Sequence, residues 1–307
     1  MESTPCKLPI GSAGEIVALV VCTSLAIGGS LGNIFIILVI RRTPSLKNVC
    51  GILIANMAVG DLMITSIVMP ILVFTLVQGF LKQCFYDTAI YVAFVMSLLS
   101  GAVSLLTLAD LSVDRCFAIC RPMKHKAVVT LTKVKFLIAK TWLASMFLPI
   151  VELFYRDSPP AKYVQTLGVT GCYSVILVSG ILTIRNVRAS SSRIAAMHND
   201  QGRSRMTAEL KQRNKQVAKT MALVVSLFTL CWLPIAFVIS VKIPDPGGRI
   251  FFWFAMLGLS NSSLNPWIYF YRQSNYRDAL KALLGCKKSL SNKKVIVHPG
   301  NETPETK

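Results

Sequence analysis

Seven apolar stretches recur along the chain, separated by short polar connections. They run at roughly Ile16–Ile40, Val49–Leu76, Thr88–Ala118, Val134–Phe154, Leu167–Ile184, Val217–Val241 and Ile250–Tyr271. A helix needs about 20 apolar residues to cross a bilayer, and buried helices of soluble domains are usually shorter. The pattern predicts an all-α membrane protein, a seven-transmembrane helix bundle. Its expected parts are a tail over 1–15, the bundle over 16–271, an amphipathic surface helix over 272–286 and a polar, disordered tail over 287–307. That surface helix is read from Tyr276 to Leu284, where apolar and basic residues alternate at helical spacing. No internal repeat is apparent.

Composition agrees with this reading. Of 307 residues, 53% are hydrophobic and 15% charged, against about 25% charged in soluble domains. The net charge of +19 would suit a nucleic-acid binder, but its placement does not. With the amino terminus outside, the segments 41–48, 117–135, 185–219 and 272–307 face inward and hold 25 Lys and Arg against five acids. The outer segments hold six of each. Basic residues collect on the cytoplasmic side of membrane proteins, where anionic lipid attracts them. The expectation is a multi-pass plasma-membrane protein, amino terminus extracellular, with lipid rather than nucleic acid as its charged partner. Residues 1–15 lack the basic start of a cleavable signal, so the first span is expected to act as the anchor, behind an outer tail too short for a binding domain.

The nine cysteines lie mostly in or beside spans, where they read as small hydrophobes. Cys6 and Cys84 fall outside. Cys286, beside Lys287 and Lys288, is placed for S-palmitoylation or is unmodified. All three histidines are cytoplasmic and no strong metal spacing appears; Cys116 with Cys120 is a weak zinc signal. Asp157-Ser158-Pro159-Pro160 reads as a turn in the second outer loop.

Charges inside the greasy stretches are costly and point to function. Asp114-Arg115 closes the third stretch; the Arg must be paired or solvated, and its neighbour Asp114 is positioned to hold it. Asp61 lies mid-membrane in the second. Asp110 and Lys140 lie about 12 Å in from the inner ends of their helices, at ~1.5 Å per residue. A salt bridge between them is expected; the alternative is a Lys140 that snorkels to the interface.

These residues fall in a wider set: Gly32-Asn33, Leu53 to Asp61, Asp114-Arg115, Trp142, Phe228 with Cys231-Trp232-Leu233-Pro234, and Asn265-Pro266 with Tyr269. In that order and on those helices, over about residues 16–286, the chain resembles the rhodopsin-like (class A) G-protein-coupled receptors, with an affinity to the adenosine and melanocortin branch. The resemblance implies no enzyme but a transducer of an extracellular ligand to a heterotrimeric G protein by outward movement of helix six. It implies a switch made of Asp114, Arg115, Phe228, Trp232, Pro234, Asn265, Pro266 and Tyr269. Pro234 removes a backbone hydrogen bond and kinks helix six. Around Asp61 the family's positions hold Asn33, Ser104, Trp232, Asn261 and Asn265; the resemblance implies a modulating sodium ion on Asp61, Ser104, Asn261 and Asn265, the alternative being a protonated Asp61 satisfied by the amides. No other cofactor is implied.

Departures matter as much. Cys116 replaces the usual Tyr after Asp-Arg, and Asn214 replaces the acid that often locks the Arg, so basal signalling is expected. Val175 and Thr183 replace helix five's usual Pro and Tyr, so that helix is expected to be straighter. No Cys is available in the second outer loop, and Cys84 lies too far before Arg115 for the usual bridge; Cys84 pairs with Cys6 or both are free. By family position the outer cavity is lined by Ser97, Leu98, Gly101, Ile235, Ile239, Phe251, Ala255 and Leu259. Ser97 stands where amine receptors place an Asp, Leu259 where opsins place Lys, and Ile239 where adenosine receptors place Asn. A hydrophobic ligand or an apolar peptide end fits this lining, as does a receptor with no small ligand. Rival readings lack their chemistry: a transporter needs charged paths or repeats, an intramembrane hydrolase needs a His or paired acids, and a non-signalling decoy would not need Asp114-Arg115 intact.

Overall fold

The computed structural model describes residues 11–81, 87–155, 159–196, 219–220, 222–238, 241 and 249–285. Among these the chain is helical apart from short connections. Helix one is Gly11–Arg42. Asn48 caps helix two, its side chain accepting from the Gly51 amide at 3.0 Å, the role short polar side chains play at helix starts. Helix two runs Val49–Met63, widens into a π turn at Ile64–Val68, and continues as Met69–Phe80. The π turn has a local cause. Pro70 has no amide hydrogen and its ring would strike a carbonyl one turn back, and the wider turn makes room.

Helix three is Asp87–Cys120, followed by a short loop helix, Pro122–Val128. Helix four starts at Leu131 behind the Thr130 cap and is interrupted at Met146, with Leu131–Ser145 and Phe147–Tyr155 on either side. Pro149 lies just beyond this interruption and cannot donate to the Ser145 carbonyl. Helix five is Pro159–Ala196, helix six Ala222–Val238, helix seven Arg249–Arg272 with Pro266 inside it, and helix eight Ser274–Leu283. Gly285, at φ 76°, closes helix eight, using a conformation that is cheap only without a Cβ.

The start of helix five differs from the sequence reading. Pro159-Pro160 does not make a turn; it starts helix five, since the missing amide hydrogen costs nothing in a first turn. Helix five therefore begins eight residues before the apolar stretch at Leu167, and the second outer connection between Tyr155 and Pro159 is short. Helix five is also continuous past Val175 and Thr183, consistent with the absence of its usual Pro.

Helix three is central, against helices two, four and five, while helix one packs on helices two and seven. Five helices are long and apolar enough to cross a membrane: Ala13–Arg42, Val49–Phe80, Thr88–Cys120, Leu131–Tyr155 and Leu167–Asn186. Helix six is apolar but shorter among the described residues. Helix seven buries a polar run, Asn261, Ser262, Ser263 and Asn265. The architecture is the seven-helix bundle with an eighth short helix. Buried polar side chains tie it together: Asn56 donates to Thr107 at 2.8 Å and accepts from the Trp142 indole at 2.9 Å, joining helices two, three and four.

Helices one, two and seven meet at Gly29. A Cβ there would lie 2.5 Å from Thr65 Cγ2 and 2.6 Å from Ser263 Oγ. Gly29→Ala is expected to cost about 1–3 kcal/mol through overpacking, read as a lower Tm of the purified protein. Gly28, which has nothing within 4 Å of such an atom, is the control: Gly28→Ala is expected to change stability by less than about 0.5 kcal/mol.

Candidate functional site: a buried polar spine ending at Arg115

The site starts at Trp232. A Cβ on Gly101 of helix three would lie 3.7 Å from Trp232 Cη2, and one on Gly258 of helix seven 3.5 Å from Cε3. Two glycines thus let the indole of helix six sit between its neighbours. Phe228, one turn along, stacks on Trp232 at 6.0 Å between ring centroids and 29° between planes. Tyr173 of helix five touches Phe228 at 6.2 Å, and its hydroxyl bonds Thr229 of helix six. Tyr173 escaped the sequence reading, since nothing in the sequence aligns a hydroxyl on helix five with one on helix six.

Deeper in, Asp61 is fully buried. Ser104 Oγ donates to it at 3.0 Å and Asn265 Nδ2 at 2.8 Å, so one carboxylate joins helices two, three and seven. Three of the four expected cation-site residues therefore converge. Asn261 is buried with its Oδ1 lacking a hydrogen bond. Asn33 faces elsewhere, its amide donating to the Gly29 carbonyl at 2.9 Å and the Ser262 carbonyl at 3.0 Å. Asn33, Met57, Ala58, Asp61, Asn265, Pro266 and Tyr269 pack together along this spine without room for a water molecule between them. Carboxylate, hydroxyl and amide oxygens are the donor types hard cations take.

Tyr269 is buried, stacked 6.1 Å from Tyr276 of helix eight. Burial pushes the Tyr276 phenol well above its usual range, with Arg115 opposing. The spine ends at Arg115, whose Nε donates to Asp114 Oδ2 at 2.9 Å, with Nη2 on the same oxygen. The other oxygen, Oδ1, faces His125 Nε2 at 2.8 Å. His125 belongs to the loop helix and lies edge-on to Phe117, 5.6 Å away. One buried carboxylate therefore holds the Arg and the loop helix together. His125 was also missed; its signal was a titratable residue eleven positions after Asp114 in a basic loop.

Other expected residues divide. Asp110 and Lys140 do not pair: the ion pairs among the described residues are Arg115–Asp114 and His125–Asp114. Asp110 Oδ2 instead accepts from Thr141 Oγ1 at 3.0 Å, and Lys140 is exposed. Depth matched but direction did not, since the buried face of helix four carries Val134, Thr141 and Ser145. For the outer cavity, Ile235 and Leu259 are buried, Ser97, Leu98, Gly101 and Ala255 half-buried, and Phe251 exposed. Ser97 donates to the Ala93 carbonyl of its own helix at 2.7 Å. Ile239, Asn214, Cys6, Cys84 and Cys286 lie outside the described residues. The described cysteines, 22, 50, 116, 120, 172 and 231, are free thiols.

Fold and spine together define a seven-helix membrane protein of receptor type. The model of the seven-transmembrane receptor family (rhodopsin family) matches residues 32–269, and the chain belongs to that family. It is 28% identical to the D(5)-like dopamine receptor of Takifugu rubripes over 96% of this chain and 72% of that protein. It is 23% identical to the human adenosine receptor A2a, over 88% of this chain and 73% of that protein. Squid rhodopsin shares the fold with a TM-score of 0.78 at 20% identity, over 93% of this chain and 88% of that one. The relatives are receptors rather than enzymes, and receptor signalling through G proteins is the activity of this class.

Asn265→Ala removes the 2.8 Å donor from the Asp61 carboxylate. The loss of a hydrogen bond to a buried carboxylate is expected to cost about 1–3 kcal/mol, measured by thermal unfolding in nanodiscs.

Proposed function

We propose that the protein is a plasma-membrane receptor, amino terminus outside, that promotes nucleotide exchange on a heterotrimeric G protein when helix six swings outward at the Arg115 end. The observation that carries this reading is the shared carboxylate of Asp114. It holds Arg115 on helix three itself, by a neighbour in sequence, with the guanidinium one-fifth exposed at the mouth of the bundle. A cation held this way is released by a local change, and an incoming helix terminus with free carbonyls or a carboxylate is a suitable partner for it. The Trp232–Phe228 stack beside Pro234 supplies the lever. A small turn of the indole is amplified through the proline kink.

The ligand is apolar over much of its surface. The relatives include dopamine receptors, yet Ser97 offers no carboxylate to an amine and its hydroxyl is already engaged. A small monovalent cation, sodium, seated on Asp61 with Ser104, Asn265 and Asn261, would hold the resting arrangement. Asn214 cannot form the second ion pair that locks Arg115 in many relatives, which supports appreciable basal activity.

Two measurements test this reading. In membranes with purified G protein, the wild-type receptor is expected to exchange nucleotide faster than empty membranes without ligand. Arg115→Ala is expected to fall to the empty-membrane rate, and Asp114→Asn to exceed wild type; equal rates for all three would overturn the reading. Separately, replacing choline chloride by sodium chloride is expected to raise the Tm of the wild type but not of Asp61→Asn. A sodium response that survives Asp61→Asn would remove the cation site and leave the receptor reading intact.

A further inference from the structure

The end of the bundle opposite Arg115 holds a carboxylate that no part of this mechanism uses. Helix one packs through a stripe of small residues, Ala18, Cys22 and Ala26. Glu15 lies on the same stripe, three residues before Ala18 and seven before Cys22. It is only 6% exposed and makes no hydrogen bond or ion pair with a described residue. With Ile16, Leu19, Leu76 and Phe80 it lines a cavity of about 70 Å³ between the ends of helices one and two. Its carboxylate oxygens are not among the fully enclosed polar atoms; they lie at the edge of this apolar cavity, where a cation meeting them would be shielded from water on most sides.

We propose that this cavity is a binding site for an amphipathic primary amine, the ammonium on Glu15 and the alkyl chain along the apolar walls. The lining decides the chemistry. It offers one carboxylate and no other side-chain oxygen, whereas a hard metal ion gathers several oxygens. An ammonium needs one strong acceptor, and its methylenes suit Leu19 and Leu76. The cavity accommodates the head group and the start of a chain. Ile16 and Phe80 at its rim are 50% and 54% exposed, so the rest of the chain would leave between the helices into lipid. The site is distinct from the positions around Ser97, which offer an amine no carboxylate.

The probe is n-octylamine, with n-octanol as the uncharged isostere, on the full chain in nanodiscs. Saturable binding of radiolabelled octylamine is expected, together with a rise in Tm that octanol does not produce. Glu15→Gln is expected to weaken amine binding by about tenfold or more, the value of a charge-assisted bond. Ile16→Trp keeps the carboxylate but fills the cavity from its exposed rim, and is expected to weaken binding as well; it serves if Glu15→Gln folds poorly. Equal effects of octylamine and octanol, or amine binding that survives both substitutions, would show simple partitioning into lipid and overturn the proposal. None of these readouts involves the G protein, so they stand or fall apart from the signalling reading.

Discussion

In hydrocarbon a polar group finds its partner inside the protein or not at all, and this constraint organises the bundle. Many of the buried polar side chains bond across a helix boundary. Asn33 joins helix one to seven, Ser263 donates to the Leu25 carbonyl at 2.9 Å across the same boundary, and Ser100 donates to the Gly60 carbonyl at 2.6 Å between helices three and two. Asp61 joins helices two, three and seven, and Asn56 helices two, three and four. Apolar packing alone would leave the rotation of each helix loosely specified, because lipid tails are as apolar as leucine. Directional bonds set the rotation.

Among the described residues, the contacts of helix six are of another kind. Phe228 and Trp232 seat it by ring contacts, and the Tyr173–Thr229 hydroxyl pair binds it to helix five. Ring stacks tolerate sliding more readily than a carboxylate with two fixed donors, since their attraction varies gently with offset. Helices one, two, three and seven thus form a polar-bonded frame, and helix six rests on it through aromatic faces. This division of labour would suit the helix-six movement proposed above.

Much of this was legible in the sequence. The seven apolar stretches, the amphipathic eighth helix and the convergence of Asp61 with Ser104 and Asn265 followed from apolar length and from a motif order shared with a family. What escaped depended on helix azimuth or on loop placement. Lys140 and Thr141 are neighbours in sequence, but a helical step of about 100° sends one outward and the other toward Asp110; the spacing of Val134, Thr141 and Ser145 carried that information. Tyr173 and Thr229 are hydroxyls on separate helices, without a charge to mark them. His125 was hidden because the loop helix that folds it back on Asp114 is only Pro122–Val128. Pro159-Pro160 reads equally as a turn or as a helix start, and tertiary context chose the latter.

Several buried polar atoms lack a protein partner, and their positions are informative. Trp232 Nε1, Asn261 Oδ1, Asn265 Oδ1, Asn33 Oδ1 and the Tyr269 hydroxyl all lie along the spine from the aromatic switch toward Arg115. Native structures rarely leave such atoms unmatched, and each one weakens the arrangement that holds it. The five are drawn from helices one, six and seven. A bound water, an ion or a second arrangement of helices six and seven would supply them with partners. A cation on Asp61, as proposed above, would supply a partner for the amide oxygens without any movement. These atoms are therefore the places where the proposed ion, or the proposed shift of Trp232, would act.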